Sequence, residues 1–257
     1  MPVAGAMPPG TLMDTILKRG YLEAGVSGDT YGFGYVDPAT LRLQGFDVDV
    51  LRQIALAIFG RDDDTVLRLV PITIPQVAPA ITAGTLDIAA HTMTITCARR
   101  TQLDFSSEYL LAHQRLLVGA SSNITTLAQL AGKRVCAAAG TTSIFRIAQL
   151  SPKSIPVPVP SETDCLVRFQ TGAVDAISTD DTILAGMAKQ DHYSRVVGPN
   201  IAPEPYGLAI NLAHPEFTQF VNGVLQRILS DGTLAKLYTQ ELGTTDVPLP
   251  PPPTYSD

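Results

Sequence analysis

The feature that most constrains the fold of this chain is an alternation of short apolar runs with longer amphipathic segments. In the first half the order is strand, helix, strand, helix, strand, at 21–26, 44–59, 65–70, 76–83 and 86–90. Short apolar runs that end in turn residues predict strands, whereas apolar positions at intervals of three and four predict helices. A βαβαβ order implies an α/β fold with a parallel sheet and helices on both faces.

The same alternation begins again near residue 127. Its segments are 127–148, 155–159, 162–171 and 173–181, followed by a strand at 206–211 and amphipathic helices at 216–229 and 234–242. We therefore predict two α/β lobes, with lobe 2 at 114–201 inserted between the two parts of lobe 1, at 1–108 and 207–257. The closing part of lobe 1 ends in a polyproline-like stretch at 247–253.

Composition narrows the class of protein. A net charge of −6 without any basic block argues against nucleic acid and polybasic membrane binding. No run approaches the roughly 18 apolar residues of a membrane span, and the first ten residues lack the basic start and apolar core of a signal peptide. The chain is therefore either cytosolic or a mature exported protein. Three cysteines and four histidines at no metal-ligand spacing predict neither a metal nor another cofactor.

The turn after the strand at 86–90 is the first candidate binding site. Thr94, Thr96 and Arg99 bring two hydroxyls and a guanidinium to the carboxyl end of a parallel strand, where ligands of such sheets bind. A guanidinium matches a carboxylate with two parallel hydrogen bonds. The alternative is an exposed arginine pair, Arg99 and Arg100, after an ordinary turn.

The second α/β unit offers two complementary groups. Thr142 and Ser143 stand in a polar turn directly before a helix, where free backbone amides can bind an anion. The alternative is an ordinary helix cap. Asp180 and Asp181 end a strand, and we assign Asp180 to an ammonium group of the ligand and Asp181 to the cap of the next helix.

An aromatic, glycine-rich loop at 28–35 follows the first strand. It lacks the third glycine of a dinucleotide fingerprint, because position 37 is Asp. Tyr31 and Phe33 are candidates for a wall of the ligand site, with core packing as the alternative.

Taken together, these motifs resemble the periplasmic-type, family 3 amino-acid-binding proteins of ABC importers. The resemblance covers roughly residues 20–243 and rests on motifs in the family's order, at 45–50, 93–99, 104–106, 132–135, 140–143, 174–180, 206–207 and 231–233. The stretches 95–100, 133–136 and 179–186 look most like the glutamate-binding lipoproteins of actinobacteria. The implied fold is the two-lobed type II binding-protein fold, with two hinge crossings near 109–113 and 202–206.

The resemblance also implies roles for the candidate residues. Arg99 would clamp the α-carboxylate of an amino acid, helped by the Thr94 hydroxyl and by the amides of Thr142 and Ser143. Asp180 would bind the α-ammonium, with a carbonyl near Thr92 as a second acceptor.

Three further residues narrow the class of ligand that we expect. Relatives that stack a flat ligand carry aromatics where this chain has Thr30 and Ile74, which disfavours a stacked ligand. His91, at the pocket edge, can donate to a side-chain carboxylate or amide, which indicates Glu, Asp, Gln or Asn.

The cysteines bear on the compartment. Cys136 and Cys165 fall on a strand and on a helix expected to pack on it. We predict that they are bridged, as in an oxidising compartment, with Cys97 left over.

These observations predict an extracytoplasmic, monomeric protein, secreted or lipid-anchored, that captures a polar L-amino acid for an ABC permease. Two alternatives remain. The first is a sensor domain that reports to a kinase or membrane partner. The second is a dehydratase on the same scaffold, although the chain shows no Ser/His/Asp or Cys/His constellation and no Gly-x-Ser-x-Gly elbow.

Overall fold

The structure is a computed structural model that describes residues 3–243. The proline-rich stretch 247–253 lies outside the described residues. The strands are β1 Leu22–Val26, β2 Asp29–Thr30, β3 Gly34–Val36, β4 Leu43–Gln44, β5 Leu67–Pro71, β6 Ile88–Ala90, β7 Asp104–Phe105, β8 Leu110–Gly119, β9 Arg134–Ala138, β10 Ile155–Val159, β11 Ala176–Asp180, β12 Ser194–Tyr206 and β13 Ala209–Ile210. The α-helices are α1 Leu12–Arg19, α2 Phe46–Phe59, α3 Ile74–Thr82, α4 Cys97–Arg100, α5 Thr142–Leu150, α6 Glu162–Gln170, α7 Asp181–Gln190, α8 Pro215–Ser230 and α9 Thr233–Leu242.

The first sheet has the strand order β5-β1-β6-β13-β7. β1 pairs in parallel with β5 and β6, and β13 pairs antiparallel with β6 and β7. Successive side chains of a strand point to opposite faces. Ile88 and Ala90 accordingly join the core beneath α2, whereas Ala89 packs with Val77 and Ile81 of α3. Helices thus cover both faces, as the sequence pattern predicts.

The second sheet has the order β10-β9-β11-β8-β12. β9 pairs in parallel with β10 and β11, whereas β8 pairs antiparallel with β11 and β12. A disulfide joins Cys136 of β9 to Cys165 of α6, which confirms the predicted pairing, and Cys97 is free and exposed. The small strands β2, β3 and β4 form a third, antiparallel sheet.

The chain passes twice between the two large sheets, from β7 to β8 and from β12 to β13. β8 and β12 pair antiparallel, from Leu110 opposite Tyr206 to Gly119 opposite Ser194. These paired strands form the hinge, and the predicted two-crossing α/β architecture is confirmed. The lobe boundaries drawn at 108, 114, 201 and 207 stay a prediction.

A cluster of buried rings lies where the hinge meets the first lobe. Phe33 contacts Phe46 and Tyr206 with ring centroids 6.2 and 6.0 Å apart, and Tyr109 lies 6.2 Å from Tyr206. Gly45 is what lets α2 start beside Phe33. It has φ 124°, and a Cβ there would lie 2.4 Å from the Phe33 carbonyl oxygen.

Strand β12 was not predicted from the sequence, and the start of α3 differs from its prediction. This helix begins at Ile74, two residues before the predicted start at Gln76. Thr73 and Gln76 form a capping box. Pro75 occupies the first turn, where a backbone N–H would have no acceptor within the helix, so that the lack of an N–H in proline costs no hydrogen bond. Pro75 is therefore part of the helix start.

Candidate amino-acid-binding site

A cavity of about 50 Å³ lies between the lobes, at the carboxyl ends of the parallel strands of both sheets. This is several times the volume that a single water needs, roughly 10–15 Å³ on this measure. It brings together most of the site residues predicted from the sequence. They are His91, Thr92, Thr94 and Arg99 from one lobe, and Thr142, Ser143 and Asp180 from the other.

Arg99 lies in the short helix α4, whose start is capped by the Thr96 side chain. Its guanidinium donates to the Thr94 carbonyl at 2.7 Å and, across the cleft, to the Gly140 carbonyl at 3.2 Å. A guanidinium carries five N–H donors, so donors remain for a carboxylate. Burial lowers the pKa of Arg99, and the charges of Glu204 and Asp180 oppose that shift.

Asp180 ends β11 and is buried. Tyr206 of the hinge donates to its Oδ2 at 2.5 Å, whereas its Oδ1 has no hydrogen-bond partner in the part of the chain that the structure describes. Burial, and then the charge of Glu204, raise the pKa of Asp180 well above its ordinary value. An unpartnered buried carboxylate oxygen is energetically costly, and an ammonium group placed beside it would remove that cost.

Thr92 adopts an unusual backbone conformation at the cavity edge, with φ 45°. The fully buried carboxylate of Asp47 accepts a hydrogen bond from the Thr92 amide at 2.8 Å and another from Tyr109 at 2.6 Å. Burial raises the pKa of Asp47, and these hydrogen bonds oppose the shift. From the sequence, Asp47 is one of the acidic residues in the first turn of α2, where the helix dipole favours negative charge. In the structure it also holds the backbone of the binding turn.

Glu204 of hinge strand β12 was not singled out from the sequence. It is fully buried and pairs with Arg146 of α5, and it accepts hydrogen bonds from Thr94 at 2.6 Å and Thr142 at 2.9 Å. Because Thr94 and Thr142 come from different lobes, one carboxylate links both lobes behind the cavity. The available signal was strand alternation, which places Glu204 on the same face as Tyr206.

The bonds to Glu204 revise the expected role of Thr94. A hydroxyl has one proton, and the protons of Thr94 and Thr142 are donated to Glu204. The expectation that the Thr94 hydroxyl donates to the ligand carboxylate is wrong for this arrangement, because only its lone pairs remain. A ligand ammonium fits those lone pairs. The backbone amides of Thr142 and Ser143 remain donors, since the first amides of a helix have no intrahelical acceptor.

The two aromatic wall residues predicted from the sequence are wrong. Phe33 is fully buried in the ring cluster at the hinge, because its strand neighbours turn it toward Phe46 and Tyr206. Tyr31 is 39% exposed and packs on Tyr35 with centroids 5.0 Å apart, outside the cavity.

Asp181 also differs from its prediction. It is the first residue of α7 rather than the N-cap, and its Oδ1 accepts from the amides of Thr182 at 2.9 Å and His113 of the hinge at 3.1 Å.

His91 is buried at the cavity edge. Its Nε2 lies 2.7 Å from the Ile72 carbonyl oxygen, which can only accept, so Nε2 carries the proton. Nδ1 has no partner. In the neutral ring Nδ1 is therefore an acceptor, which the sequence could not decide.

The lobes contact each other around the cavity. Besides Arg99 and Gly140, the Thr163 hydroxyl donates to the Asp29 carbonyl at 2.8 Å, and Lys189 donates to the Leu242 carbonyl at 3.1 Å. The arrangement is that of a closed cleft, in which the charged contacts are shielded from water.

Within residues 3–243 no group of His, Cys, Asp or Glu side chains is arranged to hold a metal ion. In the same range none of the helices combines the length and apolar character needed to cross a bilayer.

Two lobes joined by paired hinge strands, with a cleft between them that Arg99 and Asp180 line, define a type II solute-binding protein. The sequence profile of the bacterial extracellular solute-binding proteins, family 3, matches residues 22–244. The chain belongs to this family, whose members act outside the cytoplasm, and the predicted resemblance is confirmed.

Two named amino-acid-binding proteins are similar to the chain over most of its length. The chain is 35% identical over 197 residues to the glutamine-binding protein of Geobacillus stearothermophilus, covering 76% of this chain and 74% of that protein. It is 31% identical over 243 residues to the glutamate-binding protein GluB of Corynebacterium glutamicum, covering 90% and 81%.

A solved structure extends the comparison. The fold superimposes on the ancestral amino-acid-binding protein AncCDT-1, a precursor of cyclohexadienyl dehydratase, with a TM-score of 0.82 and 30% identity, covering 90% of this chain and all of that one.

Proposed function

We propose that this protein captures a polar L-amino acid in the interlobe cavity and delivers it to an ABC permease. The observation that carries the proposal is the placement of Arg99 and Asp180 in one cavity, each from a different lobe. Arg99 has free donors for an α-carboxylate, and the Oδ1 atom of Asp180 lacks a donor that an α-ammonium would supply. The amides of Thr142 and Ser143 complete the carboxylate site.

The class of ligand follows from the same groups and from the relatives. Glutamate, aspartate and their amides fit a small cleft without an aromatic sandwich. The two named relatives are called glutamine- and glutamate-binding proteins. We infer that the protein is a monomer without a nucleic-acid partner, and that it acts outside the cell membrane, secreted or lipid-anchored. The Cys136–Cys165 disulfide supports an oxidising compartment.

The test is isothermal calorimetry against the twenty L-amino acids, after unfolding and refolding to remove any bound ligand. We expect saturable 1:1 binding of at least one polar amino acid. The D-enantiomer should bind far more weakly, because with its carboxylate on Arg99 and its ammonium on Asp180 it would direct its side chain toward a different part of the cavity wall. Absence of binding for all twenty would contradict the proposal. Reconstitution with a candidate ABC permease would separate import from a sensor role.

A dehydratase is the second candidate function, favoured by the similarity to a dehydratase precursor. Such chemistry needs a general acid, and Glu162 lines the cavity with its pKa raised by burial to about 7. We place capture first because Arg99 and Asp180 match the charges of a free amino acid. Mass spectrometry of the bound compound after prolonged incubation separates the two functions, because a binding protein returns it unchanged.

A further inference from the structure

Several hydroxyls around the cavity direct their protons away from it. Thr94 and Thr142 donate to Glu204, as described above. Thr92 donates to the His91 carbonyl at 2.8 Å, and Thr141 donates to the Ala138 carbonyl at 2.7 Å. Since a hydroxyl has a single proton, these oxygens offer a ligand only lone pairs.

The same holds for a group of residues from both lobes that we call the acidic wall: Asp29, Thr30, Glu162 and Thr179. Ser27 donates to Asp29 at 3.1 Å, so in its 2.8 Å contact with Thr30 the proton belongs to Thr30. Thr179 donates to Glu162 Oε1 at 3.3 Å. The protons of the acidic wall are therefore held within the protein, and its acceptors are left for a ligand.

Glu162 is the member of the acidic wall that lacks a partner. It is the first residue of α6, it is 9% exposed, and it lines the cavity. Its Oε2 atom is buried and has no hydrogen-bond partner among residues 3–243. Burial, and then the charge of Asp29, raise the pKa of Glu162 to about 7. A buried carboxylate oxygen left open in this way calls for a donor from the ligand.

The charges of the cavity lead to the same expectation. Among the described residues that line it, Arg99 is the cation, and the proposed function assigns it to the α-carboxylate. Asp180 takes the α-ammonium. That leaves Glu162 and Asp29 facing the ligand side chain, together with the Nδ1 lone pair of neutral His91. A side-chain carboxylate placed among these groups would meet acceptors and like charge.

We propose that the acidic wall is a specificity site for a side chain that ends in a carboxamide, glutamine or asparagine, and that it rejects glutamate and aspartate. This inference rests on the proposed function and narrows its ligand class. A carboxamide supplies two N–H donors, one of which meets Glu162 Oε2. An arginine side chain is disfavoured because, apart from His91, the described lining of the cavity includes no ring for stacking.

The first test is calorimetry of the refolded wild-type protein with glutamine, asparagine, glutamate, aspartate, lysine and arginine at about pH 8.5, above the pKa of Glu162. We expect an amide to bind at least about tenfold more tightly than its acid. Glutamate binding as tightly as glutamine, or a cation binding most tightly, overturns the inference and leaves the proposed function standing. If none of the twenty amino acids binds, the proposed function falls and the inference falls with it.

The second test uses Glu162→Gln, which puts an amide donor where the open acceptor stands. We expect the preference for glutamine over glutamate to shrink at least about fivefold. Glu216→Gln is the matched control, because Glu216 lies on α8 outside the cavity and a glutamine there can still accept from the Leu12 amide. Its preference should equal that of wild type. An unchanged preference in Glu162→Gln overturns the inference.

A third measurement needs no variant. Below its pKa Glu162 carries a proton that it can donate to a ligand carboxylate. The affinity for glutamate relative to that for glutamine should therefore rise as the pH is lowered from about 8.5 to about 5.5. The charged groups that interact with Glu162 are Asp29 of β2 and Asp180 of β11, and His91 lines the same cavity. A preference that is constant across this range overturns the inference.

Discussion

Replacement of Asp180 by asparagine should weaken ligand binding and yet stabilise the ligand-free protein. Asparagine keeps the size of the side chain and an oxygen for the Tyr206 hydroxyl, but it removes the negative charge. The ligand ammonium is then left in a closed cleft without its counter-charge, which costs roughly 2–5 kcal/mol. Since each 1.36 kcal/mol is tenfold, the dissociation constant should rise by about 30-fold to several thousand-fold.

The gain in stability follows from the same geometry. In the ligand-free protein the Oδ1 atom of Asp180 is buried without a partner, and the charges of Glu204 and Glu162 oppose its ionisation. Asparagine removes this buried charge and its repulsion, and the gain is about 1–3 kcal/mol, the scale of the desolvation penalty of a buried polar group. For a chain of this length, each kcal/mol shifts the midpoint of thermal unfolding by about 2–4 °C. An aspartate kept only for structure would instead lower both binding and stability when replaced.

The assay pairs calorimetric titration with thermal unfolding of protein refolded without ligand. Asp181→Asn is the matched control, because its Oδ1 can still accept from the His113 amide and it should bind within about threefold of wild type. Near-native affinity of Asp180→Asn, or a lowered unfolding midpoint without ligand, would refute the reasoning.

Three further outcomes are expected. Arg99→Ala should weaken binding by roughly 2–5 kcal/mol. Arg99→Lys should recover only part of this loss, because an ammonium cannot form two parallel hydrogen bonds to a carboxylate. If calorimetry shows native affinity for Arg99→Ala, Arg99 does not bind the ligand carboxylate. The pKa of Glu162 is about 7 in the folded protein against 4.5 ordinarily, so only the native state holds this proton between those values, and stability should fall as pH rises through that window. Measured by urea unfolding, the free energy of unfolding of the wild-type protein should fall by up to about 3 kcal/mol across this window, and Glu162→Gln should not show this fall. The same dependence of stability on pH in both proteins would contradict the prediction. A thiol titration of the unfolded, unreduced protein should find one thiol, that of Cys97, and a result of three thiols would disprove the disulfide. Replacement of both Cys136 and Cys165 by alanine should lower the free energy of unfolding by about 2–4 kcal/mol.

The sequence by itself determined the architecture and the main anchors of the site. Helical and alternating periodicities are local, so they predicted two α/β units. The rule that ligands bind at the carboxyl ends of parallel strands then brought Arg99 and Asp180 to one cleft. The resemblance to a known family added the pairing of Cys136 with Cys165, which no local pattern contains.

Only the tertiary structure decided which atoms remain free to meet a ligand. Periodicity shows that a side chain is buried but not in which environment, so Phe33 was expected at the ligand and lies among the hinge rings. Glu204 is 110 residues from Thr94, yet it takes the proton of the Thr94 hydroxyl and turns that hydroxyl from a donor into an acceptor. The direction of a hydrogen bond depends on every neighbour of both partners, and those neighbours come from distant parts of the chain. The sequence therefore located the site, and the fold decided what that site accepts and donates.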